Sequence, residues 1–396
     1  MRFILPTLVI AQFFCTSVWF AGNSVILDIA KDLHVDPLFF AHLTSAIQFG
    51  FISGTLVFAL FTLSDRFSPS RVFFFSSMFA ALCNQGLIID SIGPEAVLLL
   101  RFLTGFFLAG IYPVGMKIAS DYFQSGLGKS LGFLVGALVL GTAFPHFLKS
   151  LAWGLPWKYV IYFTSGLSLL GGLGIGLFVP DGPFRKPSQK MDFTSFLTGF
   201  RQKTFRSISF GYFGHMWELY AFWAFIPAIL SSYNAQFPGA QLNAPLLSFL
   251  IIASGALSCS LSGFLAERFG AKKVATIALA LSCLCCLLSP FFLQHTSAPI
   301  FLLFLFSWGL FVIADSPLFS TLVAQNAPPE SRGTSLTIVN CIGFAITIFS
   351  IQLIRLVTDI MAWPYVYLFL AIGPLLGLFA LLEGQKNTPI TGRSIQ

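Results

Sequence analysis

Residues 208–229 read ISFGYFGHMWELYAFWAFIPAI, and His215 and Glu218 stand in the middle of this otherwise apolar and aromatic stretch. Tyr212, His215 and Glu218 recur at three-residue intervals, which on a helix sets them along one face. Other apolar stretches hold similar outliers: Arg101 in RFLTGFFLAG, His146 in GTAFPH and Asp315 in ADSP. An ionisable group surrounded by hydrocarbon costs about 2.5–3.5 kcal/mol on insertion scales, so each is a candidate for function. A carboxylate or an imidazole in such a place can take a proton from one side of a barrier and release it to the other. An arginine offers a planar fork of donors, suited to an acidic partner or to an anionic group of a solute. The competing reading for each is a structural ion pair or hydrogen bond between helices.

The elements that hold these residues are apolar runs. Hydrophobic residues make up 56% of the chain and charged residues 9%, against about 25% charged in soluble domains. Mean hydropathy is +0.84. Twelve runs are recognised, near 4–27, 43–63, 71–89, 95–118, 128–150, 156–178, 206–230, 245–266, 272–292, 298–323, 333–357 and 362–382. Each can cross about 30 Å of hydrocarbon at about 1.5 Å per residue. They are read as helices, because backbone facing lipid must satisfy its own hydrogen bonds, and no alternating strand-like segments occur. Glu218 lies 12 residues beyond Arg206, hence about 18 Å along its run and near the midplane.

Twelve crossings with both termini in the cytoplasm put the even-numbered links on that side. Those links and the tails hold all the basic residues except Lys31, Arg101, Lys149, Lys158 and Arg355. This is the positive-inside pattern, and it predicts a multi-pass protein of a bacterial inner membrane. The first run is too long for a secretory signal and is read as a retained helix. The net charge of +7 therefore reports topology and contact with anionic lipid, not a nucleic-acid partner. Lys149 and Arg355, at the far ends of the fifth and eleventh runs, are expected to snorkel to the interface. The seven cysteines show no metal-ligand spacing and read as packing residues.

The longest polar segment, 180–206, divides the runs six and six, and TSFLTGF within it predicts a short interfacial helix. The two halves match in order: LSDRFSPSRV (63–72) with LAERFGAKKV (265–274), GFFLAGIYP (105–113) with GLFVIADSP (309–317), GKSL (128–131) with GTSL (333–336), and WKYVIY (157–162) with WPYVYL (363–368). Duplicated halves around a central site are a signature of transporters. The segments FTLSDRFSPSR and GFLAERFGAKK are two copies of a loop motif of the form G-x-L-x-D-R-x-G-R-R/K. The first keeps Leu63, Asp65, Arg66 and Arg71 but has Phe61 and Ser68 in place of glycine. The second has Gly263, Leu265, Glu267, Arg268, Gly270 and Lys273. With Arg101 and Gly105 in the fourth run, they make the chain resemble the major facilitator superfamily over nearly its whole length.

The resemblance implies an all-α membrane fold of twelve helices in two pseudo-symmetric six-helix bundles. Residues 1–179 would form one bundle, 180–206 a cytoplasmic linker, 207–382 the second bundle and 383–396 a cytoplasmic tail. It implies a cytoplasmic gate formed by Asp65, Arg66, Arg71, Asp121, Glu267, Arg268 and Lys273, with Arg66 pairing to Asp121. It also implies that helices 1, 4, 7 and 10 line the pathway. Glu218, His215, Asp315 and Arg101 are the candidates for proton coupling and solute binding. Trp19, Asn23, Tyr112, His146, Tyr212 and Trp308 are the candidates for cavity walls. Glycines at 50 and 54, and at 128, 132 and 136, are read as small faces for close helix crossings.

The expected function is alternating-access secondary transport of a small polar solute, coupled to protons through Glu218 with His215 and Asp315 assisting. An anionic solute would suit Arg101. The chain is expected to act as a monomer in the bilayer, with no cofactor and no nucleic-acid partner. It is not read as an enzyme: no metal-ligand spacing, G-x-S-x-G or P-loop is present. Two alternatives stay open. One is a proton-driven efflux pump for hydrophobic compounds, although the antiporter motif of the fifth helix is missing. The other is a transporter-like solute sensor, although the linker and tail are short for a signalling domain.

Overall fold

The computed structural model describes residues 3–90, 92–123, 127–151, 155–185, 193–295, 297–328 and 332–386. Lys186, Lys190, Arg393 and the last ten residues lie outside them. All regular structure among the described residues is helical. Among the described residues the helices form twelve passes. α1 is in three pieces, Ile4–Thr16, Ala21–Ser24 and Ile26–Leu33. α2 is Phe40–Leu60, α3 Pro69–Gln85, α5 Leu127–Leu151 and α6 Lys158–Phe178. α4 is in two pieces, Pro94–Leu108 and Tyr112–Tyr122. α7 is Lys203–Gln236, α8 Ala244–Phe269, α9 Ala271–His295 and α11 Arg332–Thr358. α10 comprises Ala298–Ala314 and Ser316–Asn326, and α12 comprises Trp363–Val366, a 3-10 turn and Ile372–Lys386. The helix Phe193–Arg201 stands where TSFLTGF predicted one.

Ten of the passes are long and apolar enough to span a bilayer. The other two are α1, whose longest piece has 13 residues, and α7, whose centre carries the polar and aromatic residues quoted above. α7 runs 34 residues, well past the expected end at 230. Its extension is held by Tyr233, whose ring stacks on Phe301 of α10 at 3.9 Å. α12 likewise continues to Lys386, beyond the expected start of the tail at 383. The first six passes and the last six make two bundles. α2 packs on α11 and α5 on α8 across the seam between them.

Three breaks shape the interior. α4 turns at 109–111, with Pro113 at the start of its second piece, and α10 turns at Asp315, with Pro317 in the matching place. Proline tolerates the first turn of a helix, where its missing N–H costs no bond. The break in α1 at 17–20 has no proline and was not expected; the sequence reading made 4–27 a single helix. Close packing sets the α2–α4 crossing. A Cβ on Gly50 would lie 1.9 Å from the Phe102 carbonyl oxygen, and one on Gly105 would lie 2.0 Å from that of Ile47. The three α5 glycines read as a small face, Gly128, Gly132 and Gly136, do not act this way. A Cβ on Gly128 or Gly132 would meet nothing within 4 Å, and one on Gly136 would make ordinary contact with Ala256.

Candidate functional site

A cavity of about 950 Å³ lies between the bundles. Its mouth is on the face that carries the linker, among Asp65, Lys117 and Arg332, and its deep end reaches Phe51, Tyr220, Trp223 and Phe344. Its walls come from α2, α4, α5, α7, α10 and α11. α1, expected as a lining helix, contributes no lining residue; Trp19, in its break, lies behind Phe51, Tyr220 and Phe344 of the deep end. The opposite face is closed. Gln352 of α11 donates through Nε2 to the Ala41 carbonyl at 3.1 Å and to Ser45 Oγ at 2.7 Å, both on α2. At the same end Phe40 meets Phe225 edge-on with centroids 4.8 Å apart, and deeper in Phe51 meets Phe344 at 4.6 Å.

The cavity walls are aromatic, hydroxylic and neutral. Tyr112, Tyr212 and Tyr220 all line it. Thr55, Thr337 and Asn340 add polar groups. The charged lining residues are Asp65, Lys117 and Arg332; Asp65 and Arg332 sit at helix ends on the linker face, and Lys117, inside the second piece of α4, is paired to Asp65.

Of the six predicted wall residues, Tyr112 and Tyr212 are in the lining. Trp19 is buried just beyond the deep end, with its ring stacked on Tyr220 and Phe344 at 5.9 and 6.0 Å. Asn23 is buried higher, donating to Thr44 Oγ1 at 2.6 Å. His146 is buried in α5 outside the lining. Trp308 turns into the second bundle.

The ionisable groups separate by bundle. Glu218 is fully buried; Oε1 accepts from Trp308 Nε1 at 2.6 Å and Oε2 from Ser282 Oγ at 2.8 Å. It therefore sits in the seam of α7, α9 and α10, behind the cavity wall. His215 Nδ1 lies 2.7 Å from Asp315 Oδ1, with both side chains 1% exposed. This pair joins α7 to the break in α10, and its neighbours Tyr212, Met216 and Ser316 line the cavity. Arg101 does not face the cavity. Its guanidinium donates to the Val18 carbonyl at 3.1 Å, to Asn84 Oδ1 at 3.3 Å and to the Trp19 carbonyl. It thus fills the α1 break, supplying donors to carbonyls that a continuous helix would have bonded. The expected acidic partner or solute anion is replaced by backbone.

The loop charges also pair differently from expectation. Lys117 bridges Asp65 at 2.8 Å and Asp121 at 3.8 Å, so Lys117 takes the place assigned to Arg66. Arg185 of the linker donates to the Asp65 and Phe67 carbonyls, each at 2.7 Å. Among the described residues Arg66, Arg71, Glu267, Arg268 and Lys273 make no ion pair, and all are exposed. With the cavity mouth open, the charges of the two loop motifs are apart. Lys149 pairs with Asp28 of α1 at 2.5 Å instead of reaching alone for the interface. The sequence reading missed Lys117, Ser282 and Gln352. The four-residue step from Lys117 to Asp121 was a usable local signal for the first; the others depend on which helices meet.

Two membrane-spanning bundles around a cavity that opens to one face and is sealed at the other define a membrane transporter. The sequence profile of the Major Facilitator Superfamily matches residues 8–207 and again 208–393. The chain belongs to that superfamily. Over 150 residues it is 28% identical to the probable galactarate/D-glucarate transporter GudP of Escherichia coli (strain K12), a match spanning 36% of this chain and 33% of that one. Its fold is similar to that of a mutant of the nucleoside transporter NupG, with a TM-score of 0.73 at 16% identity, covering 96% of this chain and 99% of that one. It is also similar to a bacterial homologue of the human lysosomal transporter Spinster, inward-facing and unoccupied, with a TM-score of 0.62 at 14% identity, covering 97% and 95%.

Proposed function

We propose that the protein is a proton-coupled secondary transporter of a bacterial inner membrane, and that its solute is small, polar and uncharged. The linker face is then the cytoplasmic face, in keeping with the positive-inside distribution of basic residues. The first bundle corresponds to residues 1–179 and the second to 207–382, moving against each other about the central cavity. The observation that carries the solute class is the confinement of charged lining residues to the mouth. A dianionic sugar acid of the kind named for GudP would find no counter-charge at the deep end. Aromatic faces with tyrosine, threonine and asparagine groups suit a ring bearing hydroxyls, sugar-like or nucleoside-like. A hydrophobic solute would leave those polar groups unpaired.

Proton coupling is supported by the three titratable groups of the second bundle, Glu218, His215 and Asp315, buried beside the cavity rather than in it. A proton held there does not compete for space with the solute. The test is uptake of labelled uridine, D-glucose and galactarate into proteoliposomes with an imposed pH gradient. The proposal expects gradient-driven entry of uridine or D-glucose and none of galactarate. Entry of galactarate alone would overturn the uncharged-solute reading.

A further inference from the structure

The second helix carries a feature that the cavity walls leave unexplained. Gln48 is fully buried, and neither its amide nitrogen nor its amide oxygen has a hydrogen-bond partner. A buried, unpaired side-chain amide is costly, and nearly all such groups in folded proteins find partners.

Its position follows from helix register. Thr44, Gln48, Phe51 and Thr55 fall at i, i+4, i+7 and i+11, so they share one face of α2. Thr44 accepts from Asn23 of α1, while Phe51 and Thr55 line the deep part of the cavity. Ser45 and Ile52 flank Gln48 at i−3 and i+4, and both meet α11 of the other bundle, through Gln352 and Cys341. Gln48 thus sits on the seam between bundles, one turn above the cavity and below the contact that closes the opposite face.

Trp19 Nε1 and Asn23 Oδ1 on α1 are also buried without partners, Asn23 reaching Thr44 one turn from Gln48, while Thr55 Oγ1 and Trp223 Nε1 are without partners in the cavity wall below. The rings of Phe51, Tyr220 and Phe344 pack against Trp19 and separate this level from the cavity below.

We propose that Gln48 is a solute-recognising residue. Its amide is covered by the aromatic lid in the form described and reaches the solute when the bundles rock and the lid parts. The primary amide offers donors and an acceptor together, and the two indoles offer donors only. The matching chemistry is a neutral solute presenting a carbonyl or hydroxyl edge beside a ring, as a nucleobase or a sugar does. The inference rests on the uncharged-solute reading above and names the group that reads the solute's polar edge.

The test substitutes Gln48→Met, which keeps length and volume and removes the amide. Two measurements are made on the full chain. The first is the melting temperature in detergent without solute. An amide with no structural partner leaves the substituted protein as stable as the wild type or more so. A fall of more than about 3 °C would show that Gln48 holds the fold, and would overturn the proposal whatever the solute. The second is the concentration dependence of uridine and D-glucose uptake. The expected result is a rise of about tenfold or more in the half-saturating concentration, with maximal rate kept within about threefold. An unchanged half-saturating concentration for a solute that the wild type carries would overturn it. If the wild type carries galactarate and neither probe, the uncharged-solute reading fails, and the melting temperature still tests the claim for Gln48 separately.

Discussion

The two bundles descend from one repeat, yet they bury charge in opposite ways. In the first, Arg101 is fully enclosed and hydrogen-bonded to two backbone carbonyls and an asparagine, without a carboxylate. In the second, Glu218 and Asp315 are enclosed with side-chain partners: an indole, a hydroxyl and an imidazole. Arginine keeps its proton under all conditions met by proteins, so the first arrangement is a fixed strut. Carboxylates and imidazoles exchange protons, so the second can change state. The matched segments GFFLAGIYP and GLFVIADSP show how small the sequence difference is. Both keep the proline that starts the second piece of helix, but Asp315 corresponds to Ile111, and Arg101 to Leu305. Duplication preserved the breaks and divided the chemistry.

The largest effect that would sharpen this contrast is expected at the strut. Arg101→Met leaves the Val18 and Trp19 carbonyls and Asn84 Oδ1 without a donor, at roughly 1.5–3 kcal/mol for each lost bond to the charged group. Loss of the monodisperse peak in size-exclusion chromatography is the expected outcome, and Arg101→Lys should rescue it poorly, since an ammonium lacks the fork. A folded, active Arg101→Met protein would show that the α1 break does not need the cation. Next in size is Gly105→Val. Its side chain would collide with the Ile47 carbonyl across the α2–α4 crossing, at a cost of about 1–3 kcal/mol or more, read as a lower melting temperature.

Asp315→Asn should act on the other side of the comparison. The amide can still accept from His215, so the protein is expected to fold, while solute uptake driven by a pH gradient falls at least about tenfold. Full gradient-driven uptake by this variant would remove Asp315 from the coupling scheme. The smallest effect is expected for Gln352→Leu. It removes the polar contact between α11 and α2 that closes the far face, worth about 1 kcal/mol, or roughly a fivefold shift of population toward forms open there. The distance between labels placed on the outer ends of α2 and α11, away from Ala41, Ser45 and Gln352, would report the shift.

Much of this was legible from residue types alone. Apolar runs give the passes, because only closed backbone hydrogen bonding survives in lipid. His215, Glu218, Asp315 and Arg101 stood out because charge is scarce there. Their partners were not legible. A helix that is apolar all round gives no periodic signal of which face meets which neighbour. The destination of Arg101 depended on a break in α1 that no proline marks. Asp315 was expected to serve the pathway because Pro317 follows it, and that proline does mark a break; its pairing with His215 depends on how α7 meets α10. Gln48 gave no signal in the sequence, since one amide in an apolar run does not show whether the fold will give it a partner.

The central claim is that the second bundle carries the proton while the cavity carries the solute. Its most direct test is proton flux into proteoliposomes loaded with a pH-sensitive dye and challenged with uridine and D-glucose, for the wild type and Glu218→Gln. The account predicts solute-triggered proton entry in the wild type and its loss in the variant, with solute exchange in the absence of a gradient retained. Solute-triggered proton entry that survives the substitution undiminished would contradict it.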